Sequence, residues 1–291
     1  MFTLPNIFAA ILTLIPFFFA AFSGDSLRKQ IFSLPTPTRL LLPTALSLPY
    51  LIVSFAASTF QWDWFALYAL LPVAAALLLQ HARNVDENQT GNWRDYIVLL
   101  TVGLAVDLRW FEPAWPPHLA VFNKMILLNA GIYGFLFIRQ LDGVGFDLRL
   151  RSRDLCIGLR EGAFYIPIAL TLGLSVGFLH VHATWPHLGR LIGAYVFTFL
   201  FIAIPEELYF RGWLQNLLER RMGRTQALLL TSVLFGLSHF NKRAVHFNWR
   251  YVLLAAIAGI FYGRAWRHSR RVAASAITHT TVDTLWSIWF R

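Results

Sequence analysis

The stretch GRLIGAYVFTFLFIAIPEEL, residues 189–208, is apolar for most of its length and ends on two adjacent carboxylates. About 20 mostly apolar residues is the length of helix that crosses a bilayer. Nine further stretches have the same character: 2–22, 40–60, 62–80, 96–112, 119–138, 163–181, 225–240, 251–266 and 272–290. Of these, 96–112 is the weakest, because Asp107 and Arg109 interrupt it. Pro43 and Pro49 predict a kink in 40–60. The expected fold is therefore all-α, a polytopic transmembrane helical bundle of eight to ten spans.

Composition points the same way. Of 291 residues, 57% are hydrophobic and 14% charged, too little polar surface to cover a soluble core of this size. The 26 Phe and 11 Trp suit lipid-facing and interfacial positions. A net charge of +10 would suggest nucleic acid in a soluble chain. Here the arginines fall mainly between apolar runs, so they are read as setting membrane orientation, and no nucleic-acid partner is expected. The single cysteine, Cys156, excludes an internal disulfide and a cysteine-based metal cluster. No basic residue precedes the apolar run 2–22, so it is read as a first membrane helix rather than a cleaved signal peptide.

Basic residues concentrate in 24–39, 81–95, 139–162, 205–224 and 264–271. They are sparser near 61, 107–118, 182–188 and 241–250, where Lys242, Arg243 and Arg250 are the exceptions. Ten spans put every rich connection on one side, which should be cytoplasmic, with both termini outside. Three regions follow: N-terminal transmembrane helices of unknown role in 1–140, a basic cytoplasmic or interfacial linker in 141–162, and a C-terminal transmembrane domain in 163–291.

The intramembrane polar groups gather in that last region, and such groups are expensive in lipid. They are Glu206, Glu207 and Arg211, then His239 behind Phe235, then His279 and Asp283. Glu207 and Arg211 are four apart with the acid first, the favourable order for a helical ion pair. Glu206 points about 100° away from that pair. Glu206 lies 17 residues before Gly223 and His239 lies 16 after it, so both are roughly 25 Å from a turn there. Antiparallel helices would place them at one level. His279 and Asp283, also four apart, share a face of the last helix. A carboxylate in low dielectric opposite a histidine can act as general base on a water. A second histidine with a polar partner can stabilise an oxyanion. Alternatively, Glu206, His239, His279 and Asp283 can ligate a divalent metal such as zinc that activates the water. Both routes lead to hydrolysis of an amide.

The three blocks, EExxxR at 206–211, FxxxH at 235–239 and HxxxD at 279–283, resemble the signature of the CPBP family. These are CAAX-protease and bacteriocin-processing, Abi-type intramembrane proteases, related to the prenyl-protein endopeptidase of the endoplasmic reticulum. Leu159-Arg160, after Cys156-Ile157-Gly158, also resembles a stretch common in bacterial members, and the resemblance covers about 155–290. It implies that Glu206 is the catalytic glutamate, activating water with His239. It further implies that Glu207 and Arg211 support that residue and that His279 stabilises the oxyanion. Asp283 stands where many members have asparagine. An ionised aspartate only accepts hydrogen bonds, so Asp283 must be protonated, orient His279 or bind a metal. The implied substrate is a membrane-associated protein or peptide within the lipid bilayer, and the expected location is a bacterial cell (inner) membrane.

Two other functions use the same groups: a proton-coupled membrane transporter, and a non-catalytic protease-like scaffold or immunity protein. Confinement of the polar groups to one end of the chain disfavours the transporter, which would show related halves. Gly24-Asp25-Ser26-Leu27 spells a lipase tetrapeptide, but it follows a membrane helix rather than a strand and is read as chance. His180, His182 and His187 are read as interfacial. Gly259 and Gly263, and the small residues Ala273, Ala274, Ser275 and Ala276, are read as sites of close helix packing.

Overall fold

The computed structural model describes residues 3–182, 185–242 and 246–290. Phe2, at the start of the first predicted span, and Arg243 lie outside the described residues. Among those residues there are ten helical runs, one short 3₁₀ turn at Glu112–Ala114 and no strand. They are α1 (Leu4–Ser33), α2 (Thr36–Ala56), α3 (Trp62–Val85), α4 (Trp93–Asp107), α5 (Val121–Ile138), α6 (Ser152–Ser175), α7 (Leu188–Met222), α8 (Arg224–Leu237), α9 (Trp249–Ser269) and α10 (Val272–Trp289). Six of them, α1, α2, α3, α5, α6 and α7, are long and apolar enough to cross a membrane. The chain is a multi-pass integral membrane protein.

Several elements depart from the sequence expectation for identifiable reasons. In α2 the prolines at 43 and 49 confine Leu42–Ser47 to a tighter 3₁₀ run between two α-helical pieces. α4 stops at Asp107, and Arg109 then takes a left-handed conformation (φ 57°) and pairs with Glu112 at 3.9 Å. α6 begins at Ser152, so part of the basic stretch 141–162 forms its first turns. α7 runs unbroken to Met222, so 205–224, read as a connection, is mostly helix.

Two compact units divide the chain, Met1–Asp142 and Gly143–Arg291. In the first, Arg139 is buried and paired with Asp86 at 2.5 Å and Asp95 at 2.9 Å. Deeper in that unit Trp115 Nε1 donates to the Tyr68 hydroxyl (2.7 Å), which itself donates to Asn123 Oδ1 (3.2 Å). These networks satisfy polar groups that burial would otherwise penalise.

The second unit opens with an extended strap, 143–151, that fastens the turn between α9 and α10. Arg271 in that turn binds Asp147 Oδ2 (2.9 Å), Asp154 Oδ2 (3.0 Å) and the carbonyls of Asp147 and Arg149. The backbone N–H of Val272 donates to the carbonyl of Gly145 (2.9 Å), and Trp266 Nε1 to that of Val144 (3.2 Å). Gly145 has φ +73°, and any Cβ there would strike the backbone of Arg270. Only glycine fits this contact. The small residues foreseen as packing sites behave as such. A Cβ on Gly259 would meet Ser232 Cα at 3.0 Å, and Ala273, Ala274, Ser275 and Ala276 are all fully buried.

Candidate active site

Pro205 sits inside α7 and lacks the N–H that would bond the Phe201 carbonyl. The helix widens into π-helical turns at Phe199–Ala203 and again at Leu208–Gln215. Between them a single α turn, Ile204–Glu207, carries both glutamates. Such π segments recur at functional sites because they redirect side chains.

The neighbouring glutamates occupy different environments. Glu207 is fully buried, with Oε2 2.9 Å from Arg211 Nε. The same oxygen accepts a short hydrogen bond from the Ser275 hydroxyl of α10. Its Oε1 lies 2.9 Å from His279 Nδ1. The guanidinium of Arg211 lies over the Phe235 ring, 5.1 Å from its centre. Glu206 is 28% exposed, with Oε1 3.9 Å from Lys242 Nζ and Oε2 3.9 Å from His279 Nε2.

His279 and Asp283 share the inward face of α10. His279 Nε2 is 3.4 Å from Asp283 Oδ2. Both ring nitrogens of His279 therefore face carboxylate oxygens and both are placed to donate. The ring stacks on Tyr262, with centres 4.7 Å apart and planes at 16°.

Gly223 forms the turn between α7 and α8 (φ 85°), where the equidistance of Glu206 and His239 requires it. His239 lies just beyond the end of α8, in a turn rather than within the helix, and it is within electrostatic reach of Glu206. Its Nδ1 is 2.8 Å from the Phe235 carbonyl. A carbonyl only accepts, so Nδ1 carries the proton and Nε2 is left as an acceptor. FxxxH thus encodes a local bond that fixes a tautomer.

His239, His279 and Asp283 are among the residues that line an apolar cavity. Tyr165 of α6, Tyr251 and Tyr262 of α9, and Trp286 of α10 supply much of the remainder. The structure thus brings together all six of Glu206, Glu207, Arg211, His239, His279 and Asp283. The metal expectation fits less well. Among the described residues, no three His, Cys, Asp or Glu side chains converge as ligands, and both nitrogens of His279 are directed at carboxylates.

Comparison with known proteins bears on the same segment. Residues 188–285 match the family model described as type II CAAX prenyl endopeptidase Rce1-like. The segment is thus similar to the CAAX proteases, the family that the three sequence blocks resemble. The family is one of proteases, and its matched region contains all six site residues. No curated protein and no solved structure matches the chain.

Sequence reasoning missed Ser275 as a partner of Glu207, Lys242 beside Glu206, and the aromatic walls. Ser275 had a signal: it lies one turn before His279 on the same helical face. Lys242 had one too, as a basic exception in a connection otherwise poor in charge.

Proposed function

We propose that this protein is an intramembrane endopeptidase that hydrolyses a peptide bond of a membrane-associated protein or peptide. The observation that carries the proposal is the surroundings of His279 Nε2. It faces Glu206 and Asp283 on the wall of an apolar cavity that His239 also lines. In this reading Glu206 and the free Nε2 of His239 hold a water between them. His239 Nε2 or the Glu206 carboxylate takes its proton as oxygen attacks the scissile carbonyl carbon. The carbonyl π electrons move to oxygen, and the N–H at His279 Nε2 stabilises that oxyanion. Collapse breaks the C–N bond, and the stored proton passes to the departing amine.

Glu207, held by Arg211, Ser275 and His279, fixes the His279 ring and touches no substrate. The apolar cavity suits an apolar side chain or a lipid group attached to the substrate. No step is assigned to a metal, because the ligand geometry does not favour one. Elemental analysis of the pure protein, with activity measured under chelators, tests that choice. The proposed location is a bacterial cell membrane.

The mechanism is tested by assaying purified wild-type, Glu206→Ala and His239→Ala protein on a co-expressed membrane substrate that changes size. Each variant should lose about 100-fold or more of the cleavage rate while keeping its helical content. Cleavage that survives in either variant overturns the mechanism. Full biological function in Glu206→Gln would instead favour a non-catalytic scaffold.

A further inference from the structure

α6 and α9 pack together, with the Tyr165 hydroxyl donating to the Leu254 carbonyl (2.9 Å) and Arg153 Nη2 to the His268 carbonyl (3.2 Å). Between these contacts lies a fully buried carboxylate that the proposed mechanism does not use. Glu161 is 0% exposed and holds two arginines, one on each oxygen. Arg160 donates to Oε1 through Nη2 (2.7 Å) and Nε (3.2 Å). Arg264 of α9 pairs with Oε2 through Nε at 3.1 Å and lies over the Phe261 ring.

One buried acid thus neutralises one of two cations and leaves a net charge of +1. Both guanidiniums are about half exposed, at 47% and 41%. Arg160 Nη1 and both terminal nitrogens of Arg264 have no hydrogen-bond partner among the described residues. Glu161 holds Arg160 through two hydrogen bonds and Arg264 through an ion pair, so both guanidiniums are drawn to one carboxylate and their ordering is partly prepaid. A pair of forked donors matches the oxygens of a phosphate.

Both arginines lie within about two turns of the helix ends beside the basic turns. Arg160 lies eight residues from the start of α6 and Arg264 five from the end of α9, roughly 8–12 Å along the helices from the ends that meet the basic turns. Exposed Phe164 and Ile168, four and eight residues on from Arg160, continue along the same face of α6 away from the basic turns. That face is apolar, as an acyl chain requires.

We propose that Arg160 and Arg264, clamped by Glu161, form an interhelical binding site for the phosphate headgroup of an anionic phospholipid. A basic pocket between membrane helices at the interface recognises lipid in this way. The buried carboxylate sets the spacing and orientation of the two guanidiniums and lowers the local charge, so the site holds one anion rather than a diffuse atmosphere.

The chain contains its own reporter. Cys156 is the single cysteine, is exposed, and lies one turn before Arg160 on α6. A fluorophore on Cys156 of the full chain, in phosphatidylcholine nanodiscs, is titrated with a nitroxide-labelled phosphatidylglycerol or an equally labelled phosphatidylcholine. The expected result is half-quenching at a mole fraction about fivefold lower, or less, for the anionic lipid. Arg160→Gln leaves the Arg264–Glu161 pair to neutralise the acid, and it should remove most of that preference. Arg160→Gln/Arg264→Gln should abolish it. Equal quenching by the two lipids in the wild-type protein, or an undiminished preference in the folded Arg160→Gln protein, overturns the site.

Discussion

Two glutamates that are adjacent in the chain are separated in role by what surrounds them. Glu207 is a buried ion held by a guanidinium, a hydroxyl and an imidazole, whereas Glu206 keeps a partly open carboxylate beside His279. Removing one partner of a buried pair leaves the other charge uncompensated, which costs about 3–5 kcal/mol. Glu207→Gln should therefore lose about that much stability in detergent, measured by reversible chemical unfolding. Glu206→Gln, whose site is partly open, should stay within about 0.5 kcal/mol of wild type. Equal losses in the two variants would contradict the division of labour. The pairing of Glu207 with Arg211 was legible as an i,i+4 spacing. The reach of Glu207 across to Ser275 and His279 was not, because it depends on how closely α10 approaches α7, and no local pattern encodes that distance.

At the scale of elements, the span order, the Gly223 turn and the face shared by His279 and Asp283 could all be read from apolar runs and helical spacing. The widened turns of α7 could not. Pro205 marks a missing hydrogen bond, but it does not say whether a helix kinks, stops or widens. Nor was it legible that His239 lies past the end of α8, because the apolar run continues to Phe240 while the helix closes at Leu237. What holds that helix end in place is close packing. A Cβ on Gly236 would come 2.5 Å from the Val252 carbonyl and 2.7 Å from Ala256 Cβ on α9. Gly236→Ala should thus force α8 and α9 apart, costing about 1–3 kcal/mol by overpacking. Because Gly236 precedes His239 by three residues, the displacement should also lower cleavage of any substrate processed by the wild type. Unfolding and cleavage measured together check both effects, and a variant matching wild type in each would show that the α8–α9 contact is dispensable.

For the whole molecule, the second unit depends on a closure made far along the chain from the blocks that resemble the family signature. Its first residues, 143–151, return to clamp the turn before α10, and α10 supplies His279 and Asp283. The clamp is ionic and Asp147 lies outside the membrane-spanning segments, so pH should reach it. Burial of Asp147 opposes its ionisation, but hydrogen bonds from the side chain and backbone of Arg149 and from Arg271 outweigh that penalty. They hold its carboxyl well below the usual carboxylate range. A carboxyl depressed in the folded state contributes stability above its unfolded value of about 4 and loses it as pH falls toward the folded value. Wild-type protein should therefore destabilise steadily below about pH 4. Asp147→Asn should start less stable at neutral pH yet show a shallower acid slope, since that titration is gone. Arg271 keeps Asp154 at 3.0 Å, so the variant should still fold. Unfolding free energies of the two proteins across the acid range should converge as pH drops. Parallel curves, offset by a constant amount, would mean that Asp147 acts through packing alone and that its charge does not hold the last helix in register.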